Sequence, residues 1–336
     1  MTEHCFVVPR LDGPISGGTC YNRELLLELA PRAPLCACEL ASPELGGALE
    51  AARTVWVDSL YLGALPVLRE RTRARLALIL HYLPTFVALE RRAVGSELSR
   101  EEQRALAAAD AFLVPSAFMR DALEALVAPT QKSIFVIEPG TTARLRAPRV
   151  AGDRLRVMLI GNVVQGKGLL AFLRALAPVL AADDALAVSV VGRLDAEPGY
   201  AQACQALVAA TRVLAERVQF LGMLPEPEAL AQLARADLFV SASRMESYGM
   251  ALNEARVVGV PILARTGGNA AAHVATEAGG ALLNSDDALA RACVALARDP
   301  ELMRERSAAA RAHAVAPRAW ARAAEELLAQ LATWEK

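Results

Sequence analysis

Lysine is the scarcest charged residue in this chain of 336 residues. Only three of its 36 basic side chains are lysines, at positions 132, 167 and 336, and the others are arginines. An excess of either charge is also lacking, because 37 acidic residues leave a net charge of −1. Neither half of the chain is a basic block, which argues against a protein that binds nucleic acid by neutralising its phosphates.

Long apolar runs and metal-binding patterns are lacking as well. No stretch reaches the ~18 uninterrupted apolar residues of a spanning helix, and the beginning of the chain does not resemble a signal peptide, so we expect a cytoplasmic protein. Cys36 and Cys38 are too close together for an ordinary zinc pair, and no second Cys/His pair follows them. Paired aspartates suited to a divalent ion on a phosphate are also lacking, so the sequence predicts no metal cofactor.

Short apolar runs that alternate with amphipathic segments dominate what is present, and this pattern is typical of parallel α/β sheets. Hydrophobic residues make up 54% of the chain, enough for buried cores. The first series of predicted strands is Phe6–Pro9, Thr54–Val57, Leu76–Leu80, Phe112–Val114 and Ile134–Ile137. The second series is Val157–Ile160, Val188–Val191, Val218–Leu221, Leu238–Val240 and Pro261–Ala264.

A polar stretch at residues 143–154, broken by Pro148 and Gly152, separates the two series. We therefore predict two doubly wound, Rossmann-like domains, at residues 1–148 and 149–315. Ligands of such sheets lie beyond the carboxyl ends of the strands, so the default site is a cleft where the two domains face each other.

A glycine-rich loop, Gly161 to Gly168, comes directly after the strand Val157–Ile160 and before a helix that we expect to start near Leu169. Backbone N–H groups and the dipole of such a helix form an anion site, to which Lys167 would add a point charge. A tight turn with a solvated lysine fits the spacing equally well.

Two glutamates, Glu246 and Glu254, flank seven residues that follow the strand Leu238–Val240. We expect a helix to begin at about Met250, so that a chain reversal can bring both carboxylates to one pocket. Carboxylates accept hydrogen bonds from hydroxyls, which suits polyol or ribose recognition. Two solvated glutamates, one of them near a helix N-terminus, remain the alternative.

Two features of the first domain are weaker signals. Gly13 to Thr19 contains a Gly-Gly turn ahead of a helix expected near Cys20, and it serves either close approach to a ligand or a flexible turn. His81 follows the strand Leu76–Leu80, at the end of the sheet where ligands bind. A packed or solvated histidine fits that position as well.

Taken in order, these motifs resemble the retaining glycosyltransferases of family 4, which have the GT-B fold. The resemblance is strongest over residues 155–315, where Gly161 to Gly168 is similar to the family's phosphate loop. Ser241 through Glu254 is similar to its glutamate motif. It implies that residues 1–148 form the acceptor side and residues 149–315 the donor side. Residues 316–336 would form a helix that crosses back to the first domain.

The resemblance also implies roles for individual residues. Glu246, His81 and Lys167 would act in catalysis, with Glu246 on the donor sugar and Lys167 on the diphosphate, while Glu254 would take the ribose hydroxyls. The residues implied in donor binding are Gly17, Gly18, Asn162, Lys167, Gly192, Arg193, Ser247, Tyr248, Gly249, Met250 and Glu254. Asn162 departs from the family, which usually has arginine there, and we consider Arg193 a substitute for the missing charge.

The activity implied is metal-independent transfer of a sugar, with retention, from a UDP- or GDP-linked donor to a hydroxyl acceptor that the sequence does not identify. A catalytically silent subunit that binds nucleotide-sugars remains an alternative, which Asn162 favours. A nucleotide-sugar 2-epimerase is a further alternative, although the expected catalytic acids are not readable. A lipid-facing patch at residues 83–94 would permit peripheral membrane contact, but an ordinary helix explains that segment better.

Overall fold

The computed structural model describes residues 3–13, 16–85, 98–126, 132–147 and 152–334. Most of the predicted segment 83–94 and the centre of the predicted linker 143–154 lie outside these residues. The chain divides into two compact units, Met1–Thr141 with Arg318–Lys336 (unit 1) and Thr142–Pro317 (unit 2). The sequence analysis placed the domain bounds at residues 148 and 315, whereas this division falls after residues 141 and 317.

Unit 1 contains a six-stranded parallel sheet with the strand order β2-β1-β3-β4-β5-β6. Its strands are β1 His4–Val7, β2 Leu35–Cys38, β3 Thr54–Asp58, β4 Arg75–Ile79, β5 Ala111–Val114 and β6 Ser133–Val136. Its helices are α1 Gly17–Leu29, α2 Leu45–Ala51, α3 Leu65–Arg71, α4 Arg100–Ala108, α5 Ala117–Leu126 and α13 Trp320–Trp334. Strands β1, β3 and β5 are buried along their whole length, as expected for a sheet covered on both faces.

Unit 2 contains a second six-stranded parallel sheet with the order β12-β11-β10-β7-β8-β9. Its strands are β7 Leu155–Ile160, β8 Leu186–Val191, β9 Val218–Gly222, β10 Leu238–Ser241, β11 Ile262–Arg265 and β12 Ala281–Leu283. Its helices are α6 Leu169–Leu176, α7 Pro198–Ala210, α8 Arg212–Ala215, α9 Glu226–Arg235, α10 Met250–Val258, α11 Asp286–Arg298 and α12 Pro300–Ala312. Apolar clusters cover both faces of this sheet.

The predicted α/β class is confirmed, and the ten predicted strands correspond to ten of the twelve observed. The two missed strands, β2 and β12, lie at sheet edges and are only partly buried. Their apolar runs of four and three residues are too short to be told from a turn or a helix segment by pattern alone. Helix α1 begins at Gly17 instead of near Cys20, because the Ser16 side chain accepts a hydrogen bond from Thr19 N–H and caps the helix there. No helix in the described ranges has the length and apolarity to cross a membrane.

Helix α13 packs against α1 within unit 1, and its first residue closely approaches the backbone at Gly140. Tyr21 lies edge-on to Trp320, with ring centroids 5.6 Å apart, and its hydroxyl donates to Ile137 O at 2.8 Å. Thr141 N–H donates to Arg318 O at 2.8 Å. A Cβ on Gly140 would lie 2.5 Å from Trp320 N and 2.8 Å from its Cα, so the absence of a side chain at residue 140 lets α13 dock.

We predict that Gly140→Ala lowers the free energy of unfolding by about 1–3 kcal/mol, because the new methyl group collides with backbone that cannot swing away. Gly46→Ala is the matched control: it lies in α2, where an added Cβ meets nothing within 4 Å, and alanine favours a helix. Thermal and urea unfolding of both variants measure the difference. Equal stability of the two variants would contradict the docking geometry.

Candidate functional site

The glycine-rich loop of residues 161–168 follows β7 at the carboxyl edge of the second sheet. Gly161 N–H donates to Val191 O at 2.8 Å and Val163 N–H donates to Arg193 O at 2.9 Å, so the loop is tied to the end of β8. The packing is close enough that a Cβ on Gly192 would lie 1.9 Å from Gly161 O. The loop ends in a single 3-10 turn, Gln165–Lys167, just before α6 starts at Leu169 as predicted.

Lys167 and Glu246 meet in a direct ion pair, with Lys167 Nζ 2.7 Å from Glu246 Oε1. The lysine side chain is 38% exposed and the glutamate 12%, so the cation faces solvent while its partner lies deeper. Both line a small pocket of about 30 Å³ that is also bordered by Asn162 and Ser243. The structure therefore brings together two residues that are 79 positions apart in the chain and that the sequence assigned to one site.

Side chains of the protein accept hydrogen bonds from some of the backbone N–H groups that the sequence predicts to bind an anion. Gln165 N–H donates to Glu197 Oε2 at 2.8 Å, and Leu170 N–H, in the first turn of α6, donates to Tyr200 Oη at 2.9 Å. A carboxylate of the protein thus already accepts a hydrogen bond from the loop that the sequence predicts to bind an anion. Glu197 and Tyr200 were not singled out by the sequence, because neither belongs to a recognisable motif.

Hydrogen bonds from the turn that follows β11 fix the segment Glu246–Gly249. Asn269 N–H donates to Glu246 O at 2.7 Å, and Asn269 Nδ2 donates to Tyr248 O at 2.8 Å. His273 Nε2 lies 2.6 Å from the same Tyr248 oxygen, so this nitrogen carries the proton. These contacts fix the backbone on which the glutamate side chain is carried.

His273 is neutral in this arrangement. Burial lowers its pKa to about 4, and Arg256, whose Nη1 lies 3.0 Å from His273 Nδ1, also disfavours the charged ring. Because the arginine can only donate, Nδ1 accepts and the single ring proton stays on Nε2. The tautomer that supports Tyr248 is therefore set by a second buried contact.

Gly268 allows the turn to pass directly beneath Glu246. Its φ is +56°, and a Cβ there would lie 2.3 Å from Glu246 O and 2.6 Å from its N. The sequence analysis missed Gly268, Asn269 and His273. A Gly-Gly pair at residues 267–268, directly after a buried strand and thus at the carboxyl edge of the sheet, is the signal that could have found them.

Glu254 lies one turn into α10, which begins at Met250 as the sequence predicts. Burial, together with the neighbouring carboxyl of Glu226, raises the pKa of Glu254 to about 8. Glu254 is therefore largely protonated at neutral pH. Ser247, Tyr248 and Gly249 form the loop just before α10, so the predicted donor residues of this motif are continuous along the chain.

Arg193, the predicted substitute for the charge missing at Asn162, is already paired. Its Nε and Nη2 lie 2.9 and 3.1 Å from the two carboxylate oxygens of Asp195, and its backbone N–H donates to Asn162 Oδ1 at 3.3 Å. Arg244 is a further cation nearby: its N–H donates to Gly166 O at 3.1 Å, and within the described residues its guanidinium forms no ion pair. The sequence analysis did not assign Arg244.

In unit 1, His81 lies just past β4 and belongs to a buried polar network. Its Nε2 donates to Asn22 Oδ1 at 2.9 Å, and Asn22 Nδ2 donates to Asp58 Oδ2 at 2.5 Å. Burial lowers the pKa of His81, while Asp58, 3.7 Å away, acts in the opposite direction. A Cβ on Gly18 would lie 3.0 Å from the His81 ring, so the predicted Gly-Gly turn and His81 do meet.

Asn22 and Asp58 complete this network and were missed by the sequence analysis. Both residues are nearly fully buried. Gly17 lies in the first turn of α1, the helix that also contains Asn22. Asn22 lies in the middle of a helix and Asp58 at the end of a strand, so neither spacing marks them as partners of His81. These hydrogen bonds fix the orientation of the His81 ring.

The architecture described above is that of the GT-B glycosyltransferases. Sucrose-phosphate synthase from Thermosynechococcus elongatus matches with a TM-score of 0.79 over 99% of both chains at 19% sequence identity. HepE from Anabaena, in complex with UDP and glucose, matches with a TM-score of 0.75 over 99% of this chain and 100% of its own at 15% identity. At these identities the likeness concerns the fold.

Residues 154–299 match the model of the family described as Glycosyl transferases group 1. A D-inositol 3-phosphate glycosyltransferase of Nocardia farcinica (strain IFM 10152) is 31% identical over 293 residues, which cover 79% of this chain and 63% of the relative. The chain spans about three fifths of the length of the first curated relatives that it matches. The resemblance to GT-B glycosyltransferases and the predicted fold class are confirmed.

We predict that His273→Phe lowers the free energy of unfolding by about 1–3 kcal/mol, because it keeps a ring but removes the donor to Tyr248 and the acceptor for Arg256. His313→Phe is the matched control, since His313 is exposed on the same unit and should change stability by less than about 0.5 kcal/mol. Denaturant titration measures both. Equal effects would show that His273 does not support the Glu246 loop.

Proposed function

We propose that this protein is a retaining glycosyltransferase of family 4 that moves a hexosyl group from a UDP- or GDP-sugar to a hydroxyl acceptor without a metal ion. The observation that carries the proposal is the Lys167–Glu246 pair at the start of α6, within the matched family region. HepE, bound to UDP and glucose, supports a nucleotide-sugar as the ligand class.

The leaving diphosphate is the anion that Lys167 would hold in place of Glu246. As the bond from the sugar to the diphosphate breaks, negative charge grows on the leaving oxygen and positive charge on the sugar. A lysine and the N-terminus of α6 stabilise the developing negative charge before it forms, which lowers the barrier. In this proposal these groups supply the positive charge that a metal ion supplies in other transferases.

The freed Glu246 carboxylate, with the amides of Ser247 to Met250, would then contact the donor sugar. Glu254 would accept both ribose hydroxyls as a carboxylate. Retention requires the acceptor hydroxyl to attack on the face from which the diphosphate departs. The names of the relatives make D-inositol 3-phosphate the first acceptor to test. His81, held by Asn22 and Asp58, is proposed to act on the sugar. Its ring proton is donated from Nε2 to Asn22, so its Nδ1 would serve as a hydrogen-bond acceptor for a sugar hydroxyl.

We predict that Lys167→Ala and Glu246→Ala each lower sugar transfer by at least about a hundredfold, because each removes a group that meets charge in the transition state. Lys132→Ala is the matched control, as its Nζ donates only to Leu106 O and Ala107 O at the end of α4. A thermal-shift screen of UDP- and GDP-sugars first identifies the donor, and release of the nucleotide then measures transfer.

Near wild-type transfer by both variants would contradict the assignment of Lys167 and Glu246 to the active site. Loss of transfer by Lys132→Ala together with a lowered melting temperature would mean that activity reports folding only. Unchanged melting temperatures in all three variants therefore accompany the expected result.

A catalytically silent subunit that binds nucleotide-sugars is the second candidate, and the Asn162 position favours it. With Asn162 uncharged and Arg193 paired to Asp195, Lys167 has to clamp the diphosphate with less help. Arg244, bonded through its backbone to the glycine-rich loop, is our candidate for the second cation. Stabilisation by a nucleotide-sugar without turnover across acceptors would favour the silent subunit.

We predict that donor binding weakens about tenfold for each pH unit below 8, because Glu254 must lose its proton to accept two hydroxyls. Binding at pH 7 should release about one proton, which calorimetry in buffers of different ionisation enthalpy measures. Glu254→Gln should abolish this pH dependence together with most of the affinity, and Glu228→Gln, an exposed residue of α9, should leave both unchanged.

Glu254→Gln should at the same time stabilise the protein. The pKa of Glu254 rises from an ordinary 4.5 to about 8 on folding, so its favourable contribution is complete below pH 4.5 and is lost as the pH rises towards 8. The melting temperature of the variant should therefore exceed that of the wild type at pH 7 to 8 and approach it near pH 4.5. An unchanged difference across this range would contradict the raised pKa.

A further inference from the structure

A pocket of about 610 Å³ opens in unit 1 at the amino end of the sheet, at the opposite ends of the strands from His81. It is lined by the turns that lead into β3 and β4, at residues 49–54 and 71–75. Thr54 and Arg75 are register partners at the first position of these two strands. We call it the arginine pocket, because four of its ten lining residues are arginines.

Three of these arginines, Arg53, Arg71 and Arg73, are exposed and form no ion pair or side-chain hydrogen bond with any described part of the chain. The fourth, Arg75, is held in place: its Nη1 donates to Trp334 O at 2.7 Å and its guanidinium lies 4.7 Å above the Trp334 ring. Most other arginines of unit 1 with a described side chain bond carboxylates or carbonyl oxygens. The pocket therefore contains three arginines that pair with no carboxylate among the described residues.

The turn that leads into β4 is held by hydrogen bonds that do not involve the side chains of these three arginines. Thr72 Oγ1 donates to Leu49 O at 3.1 Å and accepts from Ala74 N–H at 3.1 Å. Arg69, outside the pocket, donates through Nη2 to Thr72 O at 2.8 Å and to Ala74 O at 2.6 Å. The turn that presents Arg73 is thus fixed by four hydrogen bonds, and a ligand would meet a formed wall.

A buried hydroxyl in the wall also lacks a partner. Thr54 is 1% exposed, and its Oγ1 has no hydrogen-bond partner within the described chain. Most buried polar groups are satisfied, so each exception calls for an explanation. Thr54 Oγ1 is therefore an unsatisfied polar group in the strand end that borders the pocket.

Helix C-termini offset only part of the positive charge. Helices α2, α3 and α13 end beside the pocket, and each C-terminus carries about half a negative charge, which favours nearby cations. Glu50 is the single acid among the lining residues. Four arginines less one glutamate leave +3, and the three helix ends reduce this to about +1.5.

We propose that the arginine pocket is a second anion site that binds a phosphate-bearing ligand, separate from the site of Lys167 and independent of the proposed activity. Guanidinium groups bind phosphate through paired, charge-assisted hydrogen bonds, which suits several arginines around one concave surface. The ligand is either a small soluble polyphosphate or the phosphate headgroup of a lipid.

Inorganic tripolyphosphate is the probe for the soluble form, titrated calorimetrically into the full-length protein at constant ionic strength. We expect Arg53→Ser/Arg73→Ser to weaken its affinity at least about tenfold, because two charge-assisted contacts are lost. Arg100→Ser/Arg104→Ser is the matched control: it removes the same charge from the exposed face of α4. Lys167→Ala, which alters the other anion site, should leave this binding unchanged.

Flotation with phosphatidylglycerol and phosphatidylcholine vesicles separates the two sources of the ligand. If the wild type floats only with phosphatidylglycerol and the Arg53/Arg73 variant does not, the phosphate belongs to a lipid headgroup. If only tripolyphosphate binds, the ligand is soluble. The proposal fails if neither probe binds, if both double variants lose affinity equally, or if Lys167→Ala abolishes the binding. Failure of this kind leaves the proposed transfer reaction untouched, since that is measured on Lys167 and Glu246.

Discussion

One ion pair, between Lys167 and Glu246, joins the two loops on which the site of unit 2 depends. The lysine ends a loop tied to the end of β8, and the glutamate sits on a backbone that Asn269 and Gly268 support from beneath. The pair brings opposite charges to one point of the sheet edge with the cation towards solvent. A partly exposed pair of this kind contributes little to stability, so we interpret it chiefly as a ready cation whose partner can be exchanged.

Compensation of this kind recurs around the glycine-rich loop. Arg193 is paired with Asp195, and the N–H of Gln165 is bonded to the Glu197 carboxylate. In the proposed function a diphosphate would replace carboxylates that already satisfy these groups, so that binding would be an exchange of anions. The net charge of −1 is compatible with one small anionic ligand. The arginine pocket of unit 1 differs from this, because Arg53, Arg71 and Arg73 have no such partners in the described part of the chain.

The polarity of a parallel sheet organises each unit by itself. All strands of unit 1 run in one direction, so His81 lies at the carboxyl edge and the arginine pocket at the amino edge. In unit 2 the carboxyl edge carries Lys167 and the Glu246 loop. Loops at that edge converge because parallel strands end together, which places residues far apart in sequence side by side.

The sequence by itself determined the α/β class, ten of the twelve strands and the assignment of Lys167 and Glu246 to one site, because apolar runs, glycine-rich turns and motif order are local properties of the chain. The edge strands β2 and β12 were missed, because their short apolar runs do not by themselves distinguish a strand from other local structure. Only the tertiary structure decided the support of Tyr248 by His273, the network of Asn22 and Asp58 behind His81, the neutralisation of Arg193 and the raised pKa of Glu254. Each of these depends on which groups meet across the fold and how far water is excluded from them, and no spacing along the chain contains that information.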